Sequence, residues 1–392
     1  MNRDGATGTG AVPHTAPADR RVCVFAQLHL PGLGDLLQRN ILLEVLRRTR
    51  PAAEITLVVG EGLHRRFAEP LHRHMILTDV LICPDPTTTD EGRYDEFVRQ
   101  LADRRFDLCV VDPGSRVLDA GHARRADIGV RIGLPRGLAS DADLTRRVRL
   151  PARPDRCDLH DFACAFAGAL GGPRPCPEEV VPPLPVRPEP VAELAAPAPR
   201  VGIHPGGQPH WNRRWPLARY EALCDRLVDE LGASLYLLGT AAELPELTAL
   251  RDHVLARRPD AVVHLDVDHP LNRTANLLTG LEVVVGNDSG LAHVAAALGV
   301  PTVVVYGPTG TEALWSRVYP RHRGVSLYYP CQSITHGVDE VAGRRCAYDC
   351  VVPYRGPRSS YPRCLTDLDV DQVWAATTDQ LRANQSGARN GR

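Results

Sequence analysis

Short apolar runs alternate with amphipathic stretches along most of this 392-residue chain. An apolar run bounded by turn residues predicts a buried strand, whereas apolar residues that recur every three or four positions predict a helix. Before residue 200 the predicted strands are VCVFAQL, ITLVVG, DVLIC and DLCVVDP, and the predicted helices are LLQRNILLEVLRRTRP, YDEFVRQLADRRF and LHDFACAFAGALGG. After residue 200 the predicted strands are RVGIHP, SLYLLG, AVVHLD, VVVGND and TVVVYG. Strands that alternate with helices indicate the α/β class with parallel sheets.

A proline-rich run separates the two halves. The segment PRPCPEEVVPPLPVRPEPVAELAAPAPR cannot hold a helix or a central strand, because proline lacks the backbone N–H. We therefore expect two Rossmann-like, doubly wound domains that face each other across a cleft. The predicted divisions are a disordered tail (1–20), an N-terminal domain (21–181), a linker (182–199), a C-terminal domain (200–330) and a cysteine-containing segment with a closing helix (331–392).

The most informative stretch is VVVGNDSGLAHVAAALGVPTVVVYG, residues 283–307. Its order of strand, polar turn, helix and strand predicts a βαβ unit. The turn places Asp288 and Ser289 at a helix N-terminus, where backbone N–H groups lack partners and the helix dipole favours an anion. An ordinary capped helix is the alternative, with Asp288 or Ser289 as the cap.

Three further segments carry polar residues at the expected ends of strands. They are VGIHPGGQPHWNRRWP from Val201, LYLLGTAAE from Leu235, and a strand, glycine-rich turn and helix that begin at Val22 and include Asp35. In open α/β sheets, ligands bind in the crevice outside the carboxyl ends of the strands. We therefore expect these segments to line the cleft.

These four segments, in this order, resemble the heptosyltransferases of glycosyltransferase family 9. The resemblance extends over nearly the whole chain, from Val22 to Trp374. It implies the GT-B fold, with the acceptor bound by the N-terminal domain and the nucleotide sugar bound by the C-terminal domain. It also implies an inverting transfer that requires no metal or other cofactor. The motifs that carry it are Gly34-Asp35, His204-Pro205-Gly206, Arg213-Arg214-Trp215-Pro216, Gly239 with Glu243, and Asp288-Ser289-Gly290-Leu291-Ala292-His293.

The resemblance also assigns roles to residues. Asp35 would be the general base that deprotonates the acceptor hydroxyl, and a plain helix cap is the alternative. Arg213 stands where the family has a phosphate-binding lysine, although Arg214 could be the contact. Glu243 would recognise the nucleoside or be a solvated residue at a helix start, and His293 is more simply a packed helical histidine. The expected catalytic residues are Asp35 and Arg213, and the expected donor-binding residues are Gly206, Gly207, Arg214, Gly239, Glu243, Asp288, Ser289, Gly290, Leu291 and His293.

Four cysteines, Cys331, Cys346, Cys350 and Cys364, lie in a loop-like C-terminal stretch that has few apolar residues. Four thiolates would suit a structural Zn or Fe ion. Some members of the resembled family carry a cysteine metal finger in this region. Independent buried thiols, or one disulfide formed on oxidation, are the alternatives.

Composition narrows the partners and the location. The formal net charge is −1, which argues against a nucleic-acid-binding protein that relies on a basic surface. No apolar run reaches the ~20 residues of a membrane-spanning helix, and the tail lacks the apolar core of a signal peptide, so we expect a cytoplasmic enzyme. All 46 basic residues are Arg, so each fixed positive charge is a guanidinium that can fork onto a phosphate.

The resulting hypothesis is an inverting glycosyltransferase that moves a heptose or related sugar from a nucleotide sugar, with ADP-heptose as the expected donor. The acceptor would be a hydroxyl on a glycan or on a small-molecule natural product. A GT-B sugar-nucleotide epimerase is one alternative, because that fold also hosts epimerases. A non-catalytic relative that only binds nucleotide is the other.

Overall fold

A computed structural model describes residues 20–26, 33–65, 76–84, 91–113, 115, 118–152, 157–181, 192–207, 214–307, 318–327 and 362–390. These residues form two parallel sheets of six strands each. The first sheet is built before residue 150 and the second after residue 199.

The first sheet has the strand order β3-β2-β1-β4-β5-β6, and neighbouring strands are parallel. Its strands are β1 (Arg21–Phe25), β2 (Glu54–Gly60), β3 (Asp79–Cys83), β4 (Leu108–Val111), β5 (Val130–Gly133) and β6 (Arg146–Arg147). Its helices are α1 (Leu33–Thr49), α2 (Glu91–Asp103), α3 (Ala120–Arg125) and α4 (Leu159–Ala169). The order reverses between β1 and β4, as in a doubly wound sheet.

The second sheet repeats the same order as β12-β11-β10-β7-β8-β9. Its strands are β7 (Arg200–His204), β8 (Ser234–Gly239), β9 (Val263–Val267), β10 (Val283–Asn287), β11 (Thr302–Val305) and β12 (His322–Val325). Its helices are α5 (Leu217–Leu231), α6 (Leu244–Arg257), α7 (Leu271–Thr279), α8 (Gly290–Ala297), α9 (Arg363–Thr366) and α10 (Val370–Asn390). The reversal here falls between β7 and β10.

Apolar side chains cover both faces of each sheet. In β1, Val22 and Val24 enter one core while Cys23 and Phe25 enter the core on the opposite face. A strand that is buried on both faces reads as a continuous apolar run, which is why the sequence pattern located these strands. Among the described helices, none combines the length and the apolar character needed to cross a lipid bilayer.

The predicted fold class, two doubly wound α/β domains of GT-B type, is confirmed. Strands β5, β6 and β12 were not predicted, because each carries arginine or histidine within a short run. In β12, for example, His322 is buried although it is polar. In the proline-rich run, the described parts include short 3₁₀ turns at Pro177–Val180 and Ala192–Ala195. Residues 182–191 and the tail lie outside the described residues, so the domain boundaries stay predictions.

The two sheets are joined through helices α1 and α8. One apolar core contains Ile41 and Leu42 of α1 together with Ala292 and Ala296 of α8. Near the start of both helices the backbones approach closely. A Cβ atom on Gly34 would lie 2.8 Å from Cδ2 of His293, and a Cβ atom on Gly290 would lie 2.8 Å from Cβ of Leu33. Glycine at these two positions therefore permits the contact between α1 and α8.

Replacing Gly34 with alanine tests this contact. In an open helix position the change stabilises a protein by about 0.5–1 kcal/mol, but here the methyl group would overlap the His293 ring. We expect Gly34→Ala to lower the thermal unfolding midpoint, with a net cost of about 1–3 kcal/mol from overpacking.

Gly168 provides the matched control for that substitution. It also lies in a helix, α4, and a Cβ atom there would meet nothing within 4 Å. We expect Gly168→Ala to hold or raise the midpoint, measured in the same thermal scans. Equal midpoints for the two variants would show that α1 and α8 do not make this close contact.

Candidate donor-binding site

The site lies where β7 and β10 end side by side in the second sheet. These neighbouring strands are parallel, with Gly286 opposite His204 in the register. The strand order reverses between them, and the crevice outside the strand ends at such a reversal is the usual ligand position in open α/β sheets. The loops that follow the two strands, together with the start of α8, contain most of the residues predicted from the sequence.

Ser289 is the N-cap of α8. Its backbone is extended (φ −142°, ψ 163°), and its hydroxyl oxygen accepts a hydrogen bond of 3.4 Å from the Ala292 N–H. The capped helix start leaves N–H groups near Gly290 and Leu291 without intrahelical partners, and the helix dipole favours an anion there. Capping and anion binding are therefore compatible at this position, because the cap uses the side chain whereas an anion would use the backbone.

Glu243 is buried, so the interpretation of a solvated residue at a helix start is wrong. One carboxylate oxygen, Oε1, accepts from the Gly207 N–H at 2.6 Å, and Oε2 accepts from the N–H and hydroxyl of Thr240 at 2.8 and 3.0 Å. Burial alone would raise the pKa of Glu243, but the adjacent His204 ring and these backbone N–H groups lower it to about 2. The carboxylate therefore ties the loop after β7 to the loop after β8.

Two glycines make room for this carboxylate. A Cβ atom on Gly206 would lie 1.9 Å from Glu243 Oε1, and one on Gly239 would lie 3.0 Å from Oε2. Gly207, whose N–H donates to Glu243, has a φ of +135°, a conformation that favours glycine. The structure therefore brings together Gly206, Gly207, Gly239 and Glu243, as the sequence predicted, in one closely packed cluster.

His204 ends β7 and lies between the two loops. Its Nδ1 atom is 3.0 Å from the Ser289 hydroxyl, and its Nε2 atom is 3.8 Å from Glu243 Oε2. The contact with Ser289 is a hydrogen bond. The contact with Glu243 is too long for a hydrogen bond and is an electrostatic contact between the carboxylate and the imidazole ring. Although His204 belongs to a predicted motif, it was not among the predicted site residues.

Arg214 binds protein acceptors rather than facing open space. Its Nη2 atom donates to the Gly207 carbonyl at 2.8 Å, and its Nη1 atom pairs with Glu246 at 3.0 and 3.1 Å. Nη2 also lies 3.7 Å from Glu243. Arg214 thus fixes the same loop from the other side. Arg213 lies outside the described residues.

Asn287, the last residue of β10, was missed by the sequence analysis. It is fully buried, and its side-chain oxygen accepts from the Trp215 N–H and the Tyr220 hydroxyl, both at 2.9 Å. Its side-chain nitrogen donates to the carbonyls of Pro205 and Gly206 at 2.6 and 3.1 Å. One amide therefore connects the loop after β7 to the start of α5. An asparagine that directly follows a buried strand was the available signal.

Asp288 and His293 lie on the side of the site that faces α1. The two side chains are buried, with His293 Nε2 3.5 Å from Asp288 Oδ1. The His293 ring also lies 6.4 Å from the Tyr319 ring and against Gly34 of α1. These contacts favour the interpretation of His293 as a packed helical histidine that carries the contact between the two sheets.

Asp35 is the third residue of α1 as described, next to Gly34 at the contact with α8. Its backbone therefore lies within the first turn of this helix and close to the start of α8. Its side chain is outside the described part of the chain. The role of Asp35 as a general base accordingly stays a prediction.

The predicted metal site at the four cysteines is not tested by the structure. Cys331, Cys346 and Cys350 lie outside the described residues, whereas Cys364 is buried in the apolar core of the second sheet. Among the described side chains, Asp158, His160 and Asp161 have ligand atoms within 4.8 Å of one another. Asp158 and Asp161 form the reciprocal capping box of α4, and His160 bonds to the Pro175 carbonyl at 2.9 Å. Helix capping accounts for this group without a metal.

The two doubly wound parallel sheets are of GT-B type, and the capped start of α8 lies at the reversal point of the second sheet. Glycosyltransferase family 9 (heptosyltransferase) matches residues 95–340, more than half of the chain, and the chain belongs to this family. The predicted family is therefore confirmed.

Known relatives agree with this membership. The chain is 32% identical over 114 residues to "Lipooligosaccharide heptosyltransferase 2" of Haemophilus influenzae; these residues are 29% of this chain and 33% of the relative, so the match spans about a third of its length. The fold is similar to an E. coli ADP-heptose lipopolysaccharide heptosyltransferase II (TM-score 0.62, 20% identity, 93% of this chain and 99% of that chain). It is also similar to E. coli heptosyltransferase WaaC with ADP-2-deoxy-2-fluoro heptose (TM-score 0.56, 19% identity, 78% and 92%).

Glu243→Gln tests the carboxylate that joins the loops. A glutamine side chain offers one oxygen, so either Gly207 or Thr240 would face an NH₂ group instead of an acceptor. We expect the free energy of unfolding at pH 7 to fall by about 1–3 kcal/mol, the cost of an unsatisfied buried group. The measurement is urea unfolding followed by intrinsic fluorescence.

The same variant carries a pH signature. Because the pKa of Glu243 is lowered from 4.5 to about 2 by folding, its stabilisation is complete above the unfolded-state value and is lost as the pH falls through the folded-state value. Between pH 5 and 2 the wild type should therefore lose on the order of 3 kcal/mol more than Glu243→Gln. Asp379→Asn, an exposed carboxylate on α10, is the control and should follow the wild type. Parallel acid unfolding of all three proteins would show that the Glu243 carboxylate does not hold the loops.

Proposed function

We propose that this chain is a heptosyltransferase that moves a heptose from ADP-heptose to an acceptor hydroxyl on a glycan or a small-molecule natural product. The observation that carries the proposal is the capped start of α8. It lies at the reversal point of the second sheet and beside the turn of α1 that contains Asp35. This juxtaposition would bring a diphosphate site on one sheet next to the helix turn that carries the proposed base of the other. A cytoplasmic location, where nucleotide sugars are available, is part of the same proposal.

We propose a single displacement at the anomeric carbon. The acceptor oxygen attacks the anomeric carbon, the bond from that carbon to the phosphate oxygen breaks, and Asp35 receives the hydroxyl proton. ADP leaves with the bonding electron pair, and its charge is met by the N–H groups at the start of α8 and by Arg213. A single displacement inverts the anomeric configuration. Backbone N–H groups and the Arg213 guanidinium would meet the phosphate charge, so the proposed transfer uses no metal.

The nucleotide assignment draws on the relatives. The solved structure of WaaC holds an ADP-heptose analogue, and another solved structure is named as an ADP-heptose enzyme. In this chain, Glu243 would act on the nucleoside indirectly, because its two oxygens already accept from Gly207 and Thr240. We propose that it shapes the loop against which the nucleoside binds.

The deciding experiment measures product formation from a panel of ADP-, GDP-, UDP- and TDP-sugars, each with and without acceptor. We expect transfer from ADP-heptose, detected by mass spectrometry and by ADP release, with the opposite anomeric configuration in the product. Conversion of the sugar nucleotide without acceptor would instead establish the epimerase. Binding of ADP without turnover on any acceptor tested would favour the non-catalytic relative.

Asp35→Asn tests the general base. We expect an unchanged thermal midpoint and unchanged ADP affinity, with kcat lower by about 10²–10⁴-fold because the proton has no acceptor. Asp379→Asn, an exposed carboxylate on α10, is the control and should keep wild-type turnover. Near-normal transfer by Asp35→Asn would show that Asp35 is not the general base and serves only as a helix cap.

Arg213→Ala and Arg214→Ala separate the phosphate contact from the loop contact. Because Arg214 already binds Gly207 and Glu246, we assign the diphosphate to Arg213. Calorimetry should show that Arg213→Ala weakens the binding of ADP by about 1.5–3 kcal/mol and leaves the binding of adenosine unchanged. The thermal midpoint of this variant should equal that of the wild type. Arg214→Ala should lower the thermal midpoint and weaken the binding of both ADP and adenosine. The reverse pattern would assign the diphosphate to Arg214.

A structural Zn or Fe at Cys331, Cys346, Cys350 and Cys364 is a separate proposal, which rests on the sequence alone. Elemental analysis of the purified protein should find about one metal ion per chain if the site is closed. Cys346→Ser should then release the metal and destabilise the C-terminal segment, since metal binding contributes to folding. If the purified protein contains no metal and Cys346→Ser is as stable as the wild type, the four cysteines are independent thiols.

A further inference from the structure

Ser289 is connected to Glu243 through the side chain of His204. The connection begins at the Gly207 and Thr240 N–H groups, which donate to Glu243. It continues over the 3.8 Å contact to His204 and the 3.0 Å hydrogen bond to Ser289. Through these contacts the loops that follow β7, β8 and β10 share one set of polar groups, of which Glu243 and His204 are buried. The group closest to the predicted diphosphate site is the Ser289 hydroxyl.

The Glu243 carboxylate favours the tautomer of His204 that carries its proton on Nε2, and in that tautomer Nδ1 accepts a hydrogen bond. The Ser289 hydroxyl donates its one proton to that Nδ1 atom, while its oxygen accepts from the Ala292 N–H. The hydroxyl is thereby held in one rotamer, with both its donor and acceptor functions directed at the protein.

The order of serine, histidine and carboxylate is the one that activates a nucleophile in hydrolases. Here, however, the serine oxygen caps a helix, and its capping bond must be kept for α8 to begin at Gly290. Losing such a cap costs a helix about 1 kcal/mol. The arrangement therefore serves position rather than nucleophilic attack.

The backbone around His204 is built for this contact. Gly286 lies opposite His204 in the β7–β10 register, and a Cβ atom there would lie 2.8 Å from the His204 carbonyl oxygen and 3.2 Å from its Cβ atom. Glycine at 286 thus lets the end of β10 run close to His204. Three residues later the chain presents the Ser289 hydroxyl to the imidazole ring.

We propose that His204 is a positioning residue for the donor diphosphate: through Ser289 it fixes the start of α8 so that its backbone N–H groups converge on the phosphates. The inference rests on the proposed function, because it assumes that the donor is a nucleoside diphosphate sugar. His204 touches neither the donor nor the reacting atoms. Its effect on binding is specific to the phosphates, since the nucleoside would bind elsewhere in the crevice.

Two amide substitutions separate the contacts of His204. The amide of asparagine reaches the position of Nδ1 and can keep the bond to Ser289, whereas the amide of glutamine reaches the position of Nε2 and faces Glu243. We expect His204→Gln to lower the affinity for ADP by about tenfold, the effect of one lost hydrogen bond. The affinity of His204→Asn for ADP should stay within about threefold of the wild-type value. Calorimetry with ADP and with adenosine gives the affinities, and adenosine should bind the three proteins equally.

The comparison of the two variants distinguishes positioning from simple loss of structure. Both variants remove an imidazole from the same buried place, so a merely structural role predicts equal loss of ADP affinity in both. Equal ADP affinities for the two variants, or equal losses for ADP and adenosine, would overturn the inference. If the wild type binds ADP, that result leaves the proposed function intact. A wild type that binds none of ADP, GDP, UDP or TDP would overturn the proposed function and this inference with it.

A double-mutant cycle adds a test of the path through Ser289. Ser289→Ala removes the hydroxyl that His204 holds, so in its presence the change His204→Gln should have little further effect on ADP affinity. Additive losses would show that His204 acts by another route and would overturn the assignment.

Discussion

The buried carboxylate of Glu243 is the interaction on which the candidate site depends. An anion removed from water is tolerated only where donors surround it, and here the donors come from the loops after β7 and β8. The glycines at 206 and 239 follow from this constraint, since a side chain on either would occupy the space of the carboxylate. Arg214 adds a second support to the same loop.

A second constraint is the junction between the two halves. The predicted base lies on α1 of the first sheet, whereas the predicted diphosphate site lies on α8 of the second. In the proposed transfer both groups act on one bound sugar, so the starts of the two helices must both face that sugar. Gly34 and Gly290 allow the helix starts to approach each other, and the His293 ring lies beside Gly34. The glycines that serve packing would therefore also serve the proposed chemistry.

Sequence patterns predicted the fold because it depends on local rules, and the same rules placed the candidate site at the ends of strands. Continuous apolar runs mark strands that are buried on both faces, and polar residues at strand ends mark the crevice. The roles of single polar residues did not follow as readily. Glu243 could be solvated or buried on the sequence alone, and the contacts of His204 and Asn287 could not be read from their positions at the ends of strands. Their roles depend on neighbours from distant segments, which only the folded chain brings together.

The use of arginine at every Lys or Arg position of the chain has a structural consequence at this site. A lysine ammonium at position 214 would be a single point charge, whereas the guanidinium binds the Gly207 carbonyl and Glu246 at the same time. In the proposed assignment, Arg213 contacts the diphosphate while Arg214 holds the loop. For this reason the local motif Arg-Arg-Trp-Pro could not reveal the phosphate contact, whereas the position of the Glu246 carboxylate favours one of the two.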